Sequence, residues 1–99
     1  LKEERKEYVM SKQVYRCGTS IGANIAESQF AQSDADFISK LSIALKEAAE
    51  TIYWLELLYE TDFISPKQYE SMINDVRTIT GTLVNIINKI KNKNNIKQK

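Results

Sequence analysis

The 99-residue chain contains no histidine. That absence removes Ser-His-Asp and Cys-His nucleophile pairs and every zinc site that depends on imidazole. Cys17 is the single cysteine, so no internal disulfide can form. Proline occurs once, at Pro66, and glycine three times, at Gly18, Gly22 and Gly81. So few breakers argue against a turn-rich β architecture. No run of 18 apolar residues exists, and the most conspicuous stretch is Ile52-Tyr53-Trp54-Leu55. No helix is therefore expected to cross a membrane. No secretion-signal pattern opens the chain. With neither disulfide nor signal, the cytoplasm is the expected compartment. The first residue is Leu1 rather than Met, which leaves room for native residues upstream.

What is present is the composition of a globular protein. Apolar residues make up 42% and charged residues 27%, enough for a core without staples in one domain spanning 1–99. The net charge of +1 hides an uneven distribution. Residues 34–75 carry three basic and nine acidic groups, whereas residues 76–99 carry six basic groups and no acid. The lysine- and asparagine-rich end reads as a solvated helix end running into a basic tail over about 91–99.

Periodicity predicts three helices. Over about 4–31, Met10, Val14, Cys17, Ile21 and Ile25 form one stripe. Over 34–61, Ile38, Leu41, Leu45, Ala48, Ile52, Leu55 and Tyr59 recur at steps of three and four, the spacing of a bundle seam. Over 66–92 the stripe is Tyr69, Ile73, Val76, Thr80, Leu83, Ile87 and Ile90, widened by Met72, Ile79 and Ile86. Ser33 with Asp36, and Ser65-Pro66 with Gln68, supply N-terminal caps. The four-residue link Thr61-Asp62-Phe63-Ile64 makes the last two helices antiparallel neighbours. The β-branched stretch 78–87 around Gly81 raises a hairpin as the alternative, but the three-four spacing continues through it.

Candidate sites are few. Gly18 and Gly22 are spaced for close helix packing; no strand precedes them and no Gly-Lys-Ser/Thr follows, so a phosphate loop is not expected. Asp34 and Asp36 are explained by capping, and no Glu-x-x-His supports a di-iron site. No catalytic, cofactor or metal residues are assigned, and neither an enzyme nor a small-molecule substrate is expected. Arg16, Asn24 and Glu27 form a polar series along the small-residue helix, suited to a buried network or an interface. On a helical wheel of about 100° per residue, Ile43, Trp54 and Leu57 fall roughly opposite the core stripe. Three large apolar residues there mark a candidate oligomer interface. Arg77, Lys89, Lys91, Lys93, Lys97 and Lys99 are the candidates for nucleic-acid contact through phosphates, although no aromatic residues are interleaved with them.

The stretch Arg16-Cys17-Gly18-Thr19-Ser20-Ile21-Gly22-Ala23-Asn24-Ile25-Ala26-Glu27 resembles the bacterial four-helix bundle family encoded by intervening sequences in large-subunit ribosomal RNA genes. Arg16, Gly18, Thr19, Ser20, Asn24 and Glu27 carry its R-x-G-T-S-x-x-x-N-I-A-E pattern. Asp36 to Ala48 and Tyr53 to Leu58 resemble it too, so the likeness covers roughly residues 5–90. The resemblance implies an all-α, up-and-down antiparallel four-helix bundle, with the family's first helix upstream of Lys2. It also implies a homopentamer, as in the related accessory variability determinant proteins of diversity-generating retroelements, which bind nucleic acid. The family has no established enzymatic activity. The function expected is that of a non-catalytic, self-assembling scaffold or adaptor, with nucleic-acid binding through the basic helix end as the alternative.

Overall fold

The computed structural model describes the backbone of residues 2–98 and the side chains of residues 4–94. Three α-helices follow one another: α1 (Lys2–Ser28), α2 (Asp34–Glu60) and α3 (Pro66–Gln98). No strand occurs among the described residues. Residues 78–87 are helical, Gly81 included, so the three-four periodicity prevails over local β propensity. α3 continues past the point where the sequence suggests a tail and is helical through Gln98.

Local chemistry sets the helix ends. α1 closes at Ser28, short of residue 31, through tight backbone hydrogen bonds from Phe30 to Glu27 (3.0 Å) and from Ala31 to Ser28 (3.2 Å). Ser33 caps α2, its Oγ accepting from the Asp36 amide at 3.0 Å. The reciprocal bond differs from expectation: the Asp36 carboxylate accepts from the Gln32 amide, one residue beyond the cap, at 3.3 Å. α3 opens on a complete capping box. The Gln68 amide donates to Ser65 Oγ at 3.1 Å, and Gln68 Oε1 accepts from the Ser65 amide at 2.8 Å. α2 ends in a Schellman motif. The Phe63 amide reaches back to the Leu58 carbonyl (2.9 Å) and the Asp62 amide to Tyr59 (3.1 Å). This geometry places Asp62 at φ 66°, where an L-residue is strained.

α2 lies in the middle. α1 and α3 pack on different sides of it, and no Cα atom of α1 comes within 8 Å of one in α3. The molecule is therefore long and thin, 60 × 22 × 15 Å. The core draws Ile21 from α1, Leu41, Ala44, Ala48 and Leu55 from α2, and Ile73, Val76, Leu83 and Ile87 from α3. Most of the expected stripe is here. Ala44, Thr51 and Leu58 are buried as well, although the single-stripe reading omits them. They belong to a second buried side, which α2 needs because two helices cover it. At the α2–α3 turn, Tyr59 stacks on Tyr69 with centroids 4.4 Å apart.

Candidate functional site

The densest polar constellation lies where the middle of α1 meets the middle of α2. Arg16 projects from α1 and reaches two carboxylates one turn apart on α2. Its Nη2 donates to Glu50 Oε2 at 3.1 Å, and its Nη1 lies 3.5 Å from Glu47 Oε2. Its Nε donates to Gln13 at 2.9 Å, which holds the guanidinium plane. Cys17, fully buried, sits beneath. Its sulfur accepts from Arg16 Nη2 at 3.3 Å and donates to Glu50 at 3.6 Å.

The electrostatics follow from burial and pairing. Removal from water pushes the Cys17 thiol up to about 11, so it is protonated at neutral pH and a poor nucleophile. The hydrogen bond from Arg16 holds the Glu50 carboxyl below its ordinary value. Glu47 Oε2 is buried and makes no hydrogen bond of good geometry; the charge of Arg16, 3.5 Å away, compensates it. The donor atoms of Cys17, Glu47 and Glu50 lie within 4.8 Å of one another. A cation placed there would have to displace the guanidinium that already pairs with both carboxylates and would meet a thiol that resists ionisation. The arrangement is that of an inter-helix clamp.

The other motif residues do not join this cluster. Asn24 folds back on its own helix, donating to the Ser20 carbonyl (2.9 Å) and Ser20 Oγ (3.3 Å). Thr19 donates to the Tyr15 carbonyl at 2.7 Å. Glu27 pairs with Lys40 of α2 at 3.1 Å. The polar series of Arg16, Asn24 and Glu27 is thus two separate ties to α2 and a pair of bonds within α1, not one network. Nothing lies within 4 Å of a Cβ built on Gly18 or Gly22. The close packing expected at these glycines is not made among the described residues.

The candidate interface residues sit at the edge of α2. Ile43 is 41% exposed, while Trp54 and Leu57 are half-buried. Trp54 packs edge-on against Tyr53, centroids 5.0 Å apart. Leu57 borders a groove with Arg5, Lys6, Val9, Met10 and Thr61. The two are at the margin of the core rather than opposite it, since the second buried side of α2 shifts the wheel toward them. Sequence reasoning missed the exposed apolar residues of α1, Tyr8, Val9 and Tyr15; the seven-residue spacing of Tyr8 and Tyr15, which puts both on one face, is a signal visible beside the Met10 stripe. Phe30, in the α1–α2 link, is the most exposed large apolar residue described, at 85%. Among the basic candidates, Arg77, Lys89, Lys91 and Lys93 are all exposed on α3. Lys97 and Lys99 lie outside the residues whose side chains are described.

No helix among the described residues is long and apolar enough to cross a membrane. Among curated proteins none matches the chain. A crystal structure of a protein of unknown function from the S23 ribosomal protein family of Bacteroides thetaiotaomicron VPI-5482 superposes with a TM-score of 0.81. It is 62% identical, and the match covers 86% of this chain and 79% of that one. The 23S rRNA-intervening sequence protein family matches residues 1–85, a span that takes in the Arg16–Glu27 motif, all of α1 and α2 and most of α3. The chain belongs to the 23S rRNA-intervening sequence protein family.

Proposed function

We propose that this protein is a non-catalytic, self-assembling helical scaffold or adaptor of the bacterial cytoplasm, closing as a homopentamer of four-helix bundles. The observation that carries the reading is apolar surface without an internal partner. Tyr8, Val9 and Tyr15 on α1 are 62, 48 and 76% exposed, and Ile43 on α2 adds to them. Large exposed apolar groups on two adjoining helices favour burial against another subunit. Gly18 and Gly22 are exposed on α1 with open space above them, which suits a further helix at close approach. Absolute mass by light scattering after size exclusion, at two protein concentrations, tests assembly. A concentration-independent value near five times the 11.4 kDa chain mass is expected. A monomer at both concentrations would overturn the reading.

A second reading has its own support. Arg77, Lys89, Lys91 and Lys93 project from one helix into solvent, in a stretch without acidic residues. In a ring, several such helix ends would turn weak lysine–phosphate contacts into avidity. RNA or DNA binding that weakens steeply with salt, and is lost when the chain is cut before Lys89, is the expected result. Binding unchanged by that truncation would exclude this helix end as the contact.

A further inference from the structure

We propose that the groove between the start of α1 and the end of α2 receives the outer edge of α2 from a second copy of this chain. The inference rests on the self-assembly reading above and names the surfaces that meet. The groove measures about 630 Å³. Its apolar lining is Val9, Met10 and Leu57, and Arg5 and Lys6 stand on the α1 side. Both cations are exposed, and among the described residues neither is paired with an acid.

The matching surface is on α2. Tyr53, Glu56 and Glu60 are spaced by three and four and so share one edge of the helix. Tyr53 is 58% exposed, and Glu56 and Glu60 are exposed and unpaired among the described residues. This edge offers what the groove lacks: an aromatic ring for an apolar floor, and two carboxylates for two cations. Groove and edge are different patches of one molecule, so seating one copy's edge in the next copy's groove is a heterologous contact, which generates a ring where the rotation closes. A molecule 60 Å long and 22 Å wide has a face large enough to bury the roughly 800 Å² per partner of a stable interface. Exposed ion pairs add little affinity, so the apolar contact supplies the area. The charges choose the partner and its orientation.

Charge reversal on the full chain tests this. Arg5→Glu with Lys6→Glu places acid against acid, and Glu56→Lys with Glu60→Lys places base against base. Each pair is expected to raise the concentration needed for assembly at least tenfold, read by light scattering, with helicity by circular dichroism unchanged. The chain carrying all four substitutions restores complementarity and is expected to assemble as the unsubstituted chain does. Failure of the unsubstituted chain to assemble removes the self-assembly reading and this contact with it. An assembled chain whose mass neither reversal changes removes the contact alone. Loss in both reversals without recovery in the fourfold variant overturns the pairing of these two surfaces.

Discussion

At the scale of the residue, Cys17 and Glu50 make opposite statements about pH. Cys17 is fully buried, and desolvation raises its thiol from 9.0 to about 11. Between those values the unfolded chain releases this proton and the folded chain keeps it. Stability contributed by the site is therefore intact below pH 9 and falls as pH rises toward 11. In urea titrations over that window, Cys17→Ala is expected to lack this part of the decline. In the same state the thiol should react with iodoacetamide only slowly until the protein is unfolded. Glu50 runs the other way. Its carboxyl is held down by the Arg16 hydrogen bond, so its contribution is present above about pH 4.5 and disappears as pH falls below that. Glu50→Gln should lower the thermal midpoint at pH 7, with the difference from the parent chain vanishing in acid. A difference that persists unchanged in acid would mean that the contact is steric. The sequence placed Arg16 among the motif residues and Cys17 in the core stripe, but not their acidic partners. Glu47 and Glu50 lie more than 30 residues away on another helix, and only the docking of α1 on α2 brings them to the same guanidinium.

At the scale of the element, two substitutions probe helix energetics independently of assembly. Asp62 occupies the left-handed position of the Schellman motif at φ 66°, which glycine adopts without a Cβ penalty. Asp62→Gly is expected to stabilise by about 0.5–1 kcal/mol, partly offset by the greater freedom glycine gives the unfolded chain. Gly81 lies within α3, and an added Cβ meets nothing within 4 Å. Gly81→Ala is expected to stabilise by about 0.5–1 kcal/mol; chemical denaturation of the single variants measures both effects. A loss of stability in Gly81→Ala would show that something closes on that surface in solution. The caps at Ser33 and Ser65 were legible because a cap is local chemistry, written within four residues. The end of α1 was less so. Gln29-Phe30-Ala31-Gln32 holds no glycine or proline to stop the helix, and the boundary comes from tight closing bonds that leave no sequence mark.

At the scale of the molecule, the structure is three helices arranged so that no Cα atom of one outer helix comes within 8 Å of the other, with apolar side chains left in solvent on α1 and α2. If these surfaces meet in the oligomer, a charge there should separate the subunits. Ile43→Glu changes a side chain already 41% exposed and should leave the fold intact while lowering the native mass. Trp54→Glu should lower it as well, with some loss of stability, because Trp54 is half-buried and packed on Tyr53. A native mass unchanged in both would place the interface elsewhere. The helical-wheel argument set Ile43, Trp54 and Leu57 opposite the core stripe; of the three only Ile43 is exposed, and Trp54 and Leu57 are half-buried. One stripe describes a helix with one neighbour, whereas α2 has two.

The sequence by itself determined the number and order of the helices, their caps, most of the core stripe and, through the Arg16–Glu27 motif, the family. All of these depend on interactions within a few residues or on a period that repeats along one helix. Tertiary structure alone decided which faces meet. It set the second buried side of α2 at Ala44, Thr51 and Leu58, the seating of Arg16 over Glu47 and Glu50, the open ground above Gly18 and Gly22, and the groove between Arg5 and Leu57. These are set by how one helix lies against another, a relation between distant residues that depends on the shape and volume of both surfaces together.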